Sequence, residues 1–238
     1  MKTKLSSEYK EDIARNLREI RQRMADSNKL GQEVTLLCAT KTVPADVINY
    51  ATQELGVTDI GENRVQELLS KYDELVKDNV NIHFIGSLQT NKVKYIIDKV
   101  CMIHSLDSVR LAQEIDRQAK KIGKVMDVLV EINIGEEENK GGIMPAELDS
   151  FLDEIRQFDS LRVRGLMTIA PFWSEKADYY KYFEKTYQFF IDNLPKKIHN
   201  IYKPVLSMGM SDSFDTAIEC GSTLVRLGTV VFGRREYK

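Results

Sequence analysis

Cysteine is scarce and scattered in this chain: Cys38, Cys101 and Cys220 are the three present, and none forms a CxxC pair. An odd, widely spaced set gives neither a disulfide framework nor a zinc site, and reads as reduced thiols of a cytoplasmic protein. Long apolar runs are missing as well. The first residues, MKTKLSSEYKEDIARNLREIRQRM, are charged throughout and lack the apolar centre of a signal peptide. No later stretch is long enough to cross a membrane, so no membrane association is expected. Neither sign of charge dominates, since 34 basic residues nearly cancel 36 acidic ones without a long single-sign run. That balance argues against a nucleic-acid-binding face. Metal-ligand spacing is absent among His83, His104 and His199, so no metal site is expected and each histidine is read as structural or surface rather than catalytic.

What the chain does have is alternation. Short β-rich runs occupy 34–40, 57–61, 82–86, 100–105, 125–134, 161–169, 204–208 and 223–228. Amphipathic stretches separate many of them: 45–55, 62–77, 108–122, 145–158 and 175–193. Strand and helix in turn, without adjacent hairpins, predict a parallel sheet wrapped by helices. A doubly wound sheet would carry a glycine-rich turn after its first strand, but Thr40-Lys41-Thr42-Val43-Pro44 stands there instead. Eight units in 238 residues fit a single closed (β/α)8 TIM barrel, which typically takes about 250 residues. Pro145 and Pro171 punctuate loops and no low-complexity linker intervenes, so residues 1–238 are expected to form one domain, with an extra N-terminal helix in 1–30 packed on the barrel.

In such barrels the working residues sit where strands end and loops begin. Leu37, Ala39 and Lys41 share one face of the first strand by alternation, opposite Leu36, Cys38 and Thr40. That puts Lys41 at the inner rim, where burial favours the neutral amine that attacks carbonyls. A lysine that simply reaches into water at a strand end has the same position, and position alone leaves both readings open. Asn63 sits near the start of a helix, either as a ligand contact or as a plain N-cap. Toward the C-terminus, Ser207-Met208-Gly209-Met210-Ser211-Asp212 follows the seventh strand, with Ser211 able to cap the helix after it. The eighth strand puts Leu224 and Arg226 on one face and is followed by Gly228 and Thr229. Loops after strands seven and eight are a frequent phosphate site in this fold.

These segments together resemble the YggS/PROSC family of pyridoxal phosphate homeostasis proteins. The matching text is ATKTVP (39–44), GENRVQE (61–67), HFIGSLQTNK (83–92), RGLMTI (164–169) and SMGMSDSFDTAIECGSTLVRLGTVVFG (207–233). The resemblance implies an alanine-racemase-like barrel with pyridoxal 5′-phosphate (PLP) held as a Schiff base on Lys41. It implies phosphate contacts from Ser207 or Ser211 and from Gly228 and Thr229, Arg226 facing the pyridine nitrogen, and Asn63 close to the ring.

An arginine at the ring nitrogen can only donate, so it disfavours protonation there and weakens the ring as an electron sink. Alanine racemases of similar barrel carry a further β-domain with an opposing acid/base tyrosine, and the chain here is expected to stop after the barrel. No residue is therefore assigned a catalytic role. The expectation is a carrier or regulator of PLP in vitamin B6 homeostasis, a monomer or weak homodimer with PLP-dependent apo-enzymes as partners. The alternative is a single-domain PLP-dependent amino-acid racemase; a cofactor-free Schiff-base aldolase ranks behind both.

Overall fold

A computed structural model describes residues 5–171, 176–197 and 203–233. Helix α1 (Ser7–Ser27) leads into strand β1 (Thr35–Ala39), then α2 (Ala45–Glu54), β2 (Asp59–Glu62), α3 (Val65–Lys71) and β3 (Asn81–Phe84). Next come β4 (Met102–Leu106), α4 (Val109–Lys121), β5 (Met126–Ile132), α5 (Leu148–Ile155) and β6 (Leu161–Thr168). The chain continues with α6 (Lys176–Lys197), β7 (Val205–Ser207), α7 (Phe214–Glu219), β8 (Leu224–Leu227) and α8 (Thr229–Phe232). All eight strands are parallel and close in sequence order, β8 pairing back onto β1 through Leu37↔Arg226 and its neighbours. This is the (β/α)8 barrel that the alternation predicts.

The predicted strands are all present, with no end moved by more than two residues. One connection differs in kind: between β3 and β4 the chain makes a 3-10 helix at Thr90–Tyr95.

Alternation explains the two cores. Outward residues such as Cys38, Ile60, Phe84 and Ile103 pack under the helices. Inward residues form small clusters, Leu37, Ala39, Ile85 and Leu224 in one and Met102, Leu129 and Met167 in another. Helix α4 shows why the outer layer forms. Ser108 caps it by accepting from the Leu111 N–H at 3.3 Å, and Leu111, Ile115 and Ala119 recur at helical spacing on its buried face. Burying such a leucine or isoleucine side chain fully stabilises the fold by about 1.5–3 kcal/mol.

Helix α1 buries Ile13, Leu17, Ile20 and Met24 along one stripe against α2, α7 and α8. The Tyr9 hydroxyl donates to the Phe232 carbonyl at 2.9 Å and the Asn16 amide to that of Val231 at 3.1 Å. Arg23 pairs with Asp215 and lies over the Phe214 ring. Through these contacts α1 holds the two short helices that follow strands β7 and β8. Among the described residues, no helix is long and apolar enough to cross a membrane.

Candidate functional site

The closed strand order makes β7, β8, β1 and β2 consecutive around the rim. Every site residue expected from the sequence follows or ends one of these four strands, or lies within β8. Lys41 is half-buried in the turn just beyond β1, with Leu37 and Ala39 pointing inward below it as alternation requires. Asn63 follows β2 and is half-buried. It does not cap α3, whose N-cap is Arg64. Its Oδ1 is buried and has no hydrogen-bond partner among the described residues, which makes it an acceptor open to a ligand donor. Ser207 is the last residue of β7 and fully buried. Ser211 is half-buried in the next turn, and Ser213, not Ser211, is the N-cap of α7. Gly228 stands at the N-cap of α8 and exposed Thr229 opens it.

The turn that carries Lys41 is held from outside the barrel. Thr42 has φ 64°, an unfavourable conformation for a β-branched residue. Its N–H donates to the Glu67 carboxylate. Lys71 Nζ donates to the carbonyls on both sides of the turn, Thr40 at 3.0 Å and Val43 at 3.2 Å. The same ammonium pairs with Glu62 at 2.7 Å and Glu67 at 3.1 Å. Glu62 and Glu67, two letters of the GENRVQE block, thus hold the lysine turn through Lys71. On the other side, Gly209 has φ +96°, and a side chain there would meet Ala217 Cβ at 2.6 Å. Only glycine lets the Ser207–Ser211 segment fold this tightly onto α7.

Arg226 occupies the barrel interior, as its alternation with Leu224 predicts, and is 6% exposed. Nη1 donates to the Ser207 carbonyl at 2.9 Å and to Ser207 Oγ at 2.7 Å, and Nη2 donates to the Thr168 carbonyl at 2.9 Å. These three bonds use three of the five guanidinium N–H groups, and among the described residues Nε–H and one on Nη2 are left for a ligand. Burial lowers Arg226 to about 10, offset in part by Glu131, so it remains a cation at neutral pH.

Below Arg226 the interior holds a row that sequence reasoning missed. Ser207 Oγ lies 3.3 Å from His104 Nδ1, His104 Nε2 lies 2.9 Å from His83 Nδ1, and His83 Nε2 lies 3.0 Å from Asp59 Oδ1. The available signal was strand period: His83 shares a face with Ile85 and His104 with Met102, both inner-core residues. Burial opposes charge on His83, but the hydrogen bond to the Asp59 carboxylate, helped by the nearby Cys101, outweighs it and raises the ring to about 9. Burial first, then the charges of His83 and Arg226, hold His104 well below the usual histidine range. Glu131 on β5 is a second unanticipated group. Burial and the nearby Asp107 carboxylate raise it to about 7, against the pull of Arg226.

The residues present suit a phosphorylated pyridine aldehyde. They offer a lysine at the rim, a buried cation with two spare N–H groups, an orphaned amide oxygen, and the first turn of α8, whose leading N–H groups have no partner within the helix. Comparison with known sequences decides the family. The alanine racemase N-terminal domain family matches residues 10–236. A pyridoxal phosphate homeostasis protein of Aquifex aeolicus is 47% identical over 202 residues, 85% of this chain and 87% of that one.

The chain belongs to the alanine racemase N-terminal domain family, among its pyridoxal phosphate homeostasis proteins.

The Escherichia coli member is 37% identical over 234 residues, covering 95% of this chain and 98% of its own. Among solved structures, PipY of Synechococcus elongatus with PLP bound superposes with a TM-score of 0.81 at 31% identity, over 93% of this chain and 100% of PipY. A family member of the same fold thus holds PLP.

Proposed function

We propose that this chain binds PLP in intracellular vitamin B6 homeostasis, holding the cofactor as a Schiff base on Lys41. The observation that carries the reading is the convergence of Lys41, Asn63, Arg226, Gly228 and Thr229 on adjacent strand ends of one closed barrel. PLP supplies an aldehyde for the lysine and a pyridine ring. Lys41 tethers it, and the two spare N–H groups of Arg226 face its ring nitrogen. Asn63 Oδ1 accepts a hydrogen bond at the ring edge. Gly228 and Thr229 meet the phosphate with backbone N–H groups and a hydroxyl. Of the two candidate serines, Ser211 is the one free to join them, because Ser207 Oγ is engaged with Arg226.

An arginine that stays charged at neutral pH beside the ring nitrogen favours storage over carbanion chemistry. The protein therefore acts as a carrier or regulator in the cytoplasm, passing PLP to apo-enzymes, as a monomer or weak homodimer. Reconstituted protein should develop a visible absorbance band, and borohydride should add the cofactor's mass to the Lys41 peptide. Lys41→Ala should lose the covalent adduct while keeping weaker phosphate-anchored binding. Absence of both band and adduct in the wild type would sink the reading. Amino-acid α-proton exchange in deuterated water at about 1 s⁻¹ or faster would point to a racemase instead.

A further inference from the structure

The buried row from Asp59 to Arg226 has a direction. Thr58 Oγ1 and Asn81 Nδ2 donate to the Asp59 carboxylate at 2.7 and 3.1 Å, which keeps it an acceptor for His83 Nε2–H. A charged His83 donates with both nitrogens, so its Nδ1–H points at His104 Nε2. His104, flanked by the charges of His83 and Arg226, is neutral and must then carry its proton on Nδ1, toward Ser207 Oγ. Ser207 Oγ receives hydrogen bonds from both His104 and Arg226 Nη1. The two rings stand edge to face at 85°, so neither can turn without breaking a bond at each end.

A guanidinium on a flexible side chain, placed in a fully buried site, needs such support to present its spare N–H groups in one orientation. The carbonyls of Ser207 and Thr168 fix two of its edges, and the hydroxyl, itself locked by His104, fixes the third bond.

We propose that His104 and Ser207 are positioning residues for the bound cofactor's ring, fixing the Arg226 guanidinium from the barrel interior, with Asp59–His83 as the anchor of the row. This rests on the reading that the PLP ring nitrogen faces Arg226. It assigns the interior histidines a part in setting how far the ring nitrogen is protonated.

The test uses the full chain loaded with PLP carrying nitrogen-15 in its ring, read by NMR across a pH series. Wild-type protein should give the signal of a neutral, hydrogen-bonded ring nitrogen. Ser207→Ala and His104→Phe should move that signal and raise the nitrogen's protonation midpoint by about one pH unit, as loss of a fixed neighbouring cation does. Affinity for PLP should fall less than about tenfold, because the phosphate and Lys41 remain. His104→Gln, which keeps a donor and an acceptor, should recover most of the shift. A purely structural role would lower stability without moving the ring signal, and that result overturns the proposal. Ser207→Ala removes one oxygen and keeps the carbonyl that Arg226 also uses, so it decides the matter if His104→Phe does not fold. Wild-type protein that takes up no PLP overturns the cofactor reading and the positioning role together. Uptake with variants matching the wild type overturns the positioning role alone.

Discussion

Lys71 Nζ stands 2.7 Å from Glu62 Oε1, and both side chains are almost wholly buried beneath the turn that carries Lys41. The pair is the hub of that turn, because the same ammonium bonds the Thr40 and Val43 carbonyls. Burial pushes the Glu62 carboxyl up, and Lys71 is the principal force opposing it.

Lys71→Met should therefore leave a buried carboxylate and two carbonyls without their donor. Removing one partner of a buried pair costs about 3–5 kcal/mol. Urea unfolding should report a loss of that order, and adding Glu62→Gln should recover part of it. Uptake of PLP should slow as well, since the lysine turn is no longer clamped at both ends. Unchanged stability in the single variant would show that the hub is dispensable.

How much of this was legible in the sequence depends on period and reach. The strand period gave the eight strands and the inward aim of Arg226, because an inner and an outer face must alternate in a closed barrel, and it put Lys41 just beyond the end of β1. It also put Cys38 beneath the helices. The Lys71–Glu62 hub was not legible, because it joins residues on α3 and at the end of β2 to a turn some twenty to thirty positions earlier. Nor was the row from Asp59 through His83 and His104 to Ser207, which links four strands at one depth of the barrel. Strand period gives the face of each residue but not its height along the axis, and height decides which side chains meet. Ser211 illustrates the smaller error of scale: the N-cap of α7 falls two residues later, at Ser213. Trp173 and His199 lie outside the described residues.

Gly86 offers a test of how closely the third loop approaches the site. A Cβ there would lie 2.2 Å from the Asn63 carbonyl oxygen and 2.8 Å from its Cα, both backbone atoms. Gly86→Ala must push Asn63 away, at a cost of about 1–3 kcal/mol for overpacking. Titration of the variant with PLP should show weaker binding, because Asn63 Oδ1 moves with its backbone. Gly123→Ala is the control: its φ is +64° with nothing within 4 Å, so strain of roughly 1–2 kcal/mol should appear without any change in PLP affinity. Equal PLP affinity in the two variants would remove Asn63 from the site.

The His83–Asp59 bond predicts how stability depends on pH. The folded-state value of about 9 lies above the ordinary histidine value of 6.5. Below pH 6.5 the ring is charged in folded and unfolded chains alike, and the bond contributes fully. As the pH rises above 6.5 the unfolded chain gives up its proton first while the folded chain keeps it, so unfolding becomes easier up to about pH 9. The loss should be at most about 3 kcal/mol, the equivalent of the shift at 1.36 kcal/mol per unit. His104 acts in the opposite sense. Held neutral in the fold, it costs stability as the pH falls below 6.5, where only the unfolded chain takes up its proton. Urea unfolding at half-unit steps from pH 5 to 9.5 should show wild-type stability declining on the alkaline side of neutrality. The difference between wild type and His83→Phe should shrink over the same window. Parallel curves for the two proteins would mean that His83 is a neutral imidazole at neutral pH, keeping only Nε2–H, and the row would then run in the reverse direction, from the Ser207 hydroxyl down to Asp59.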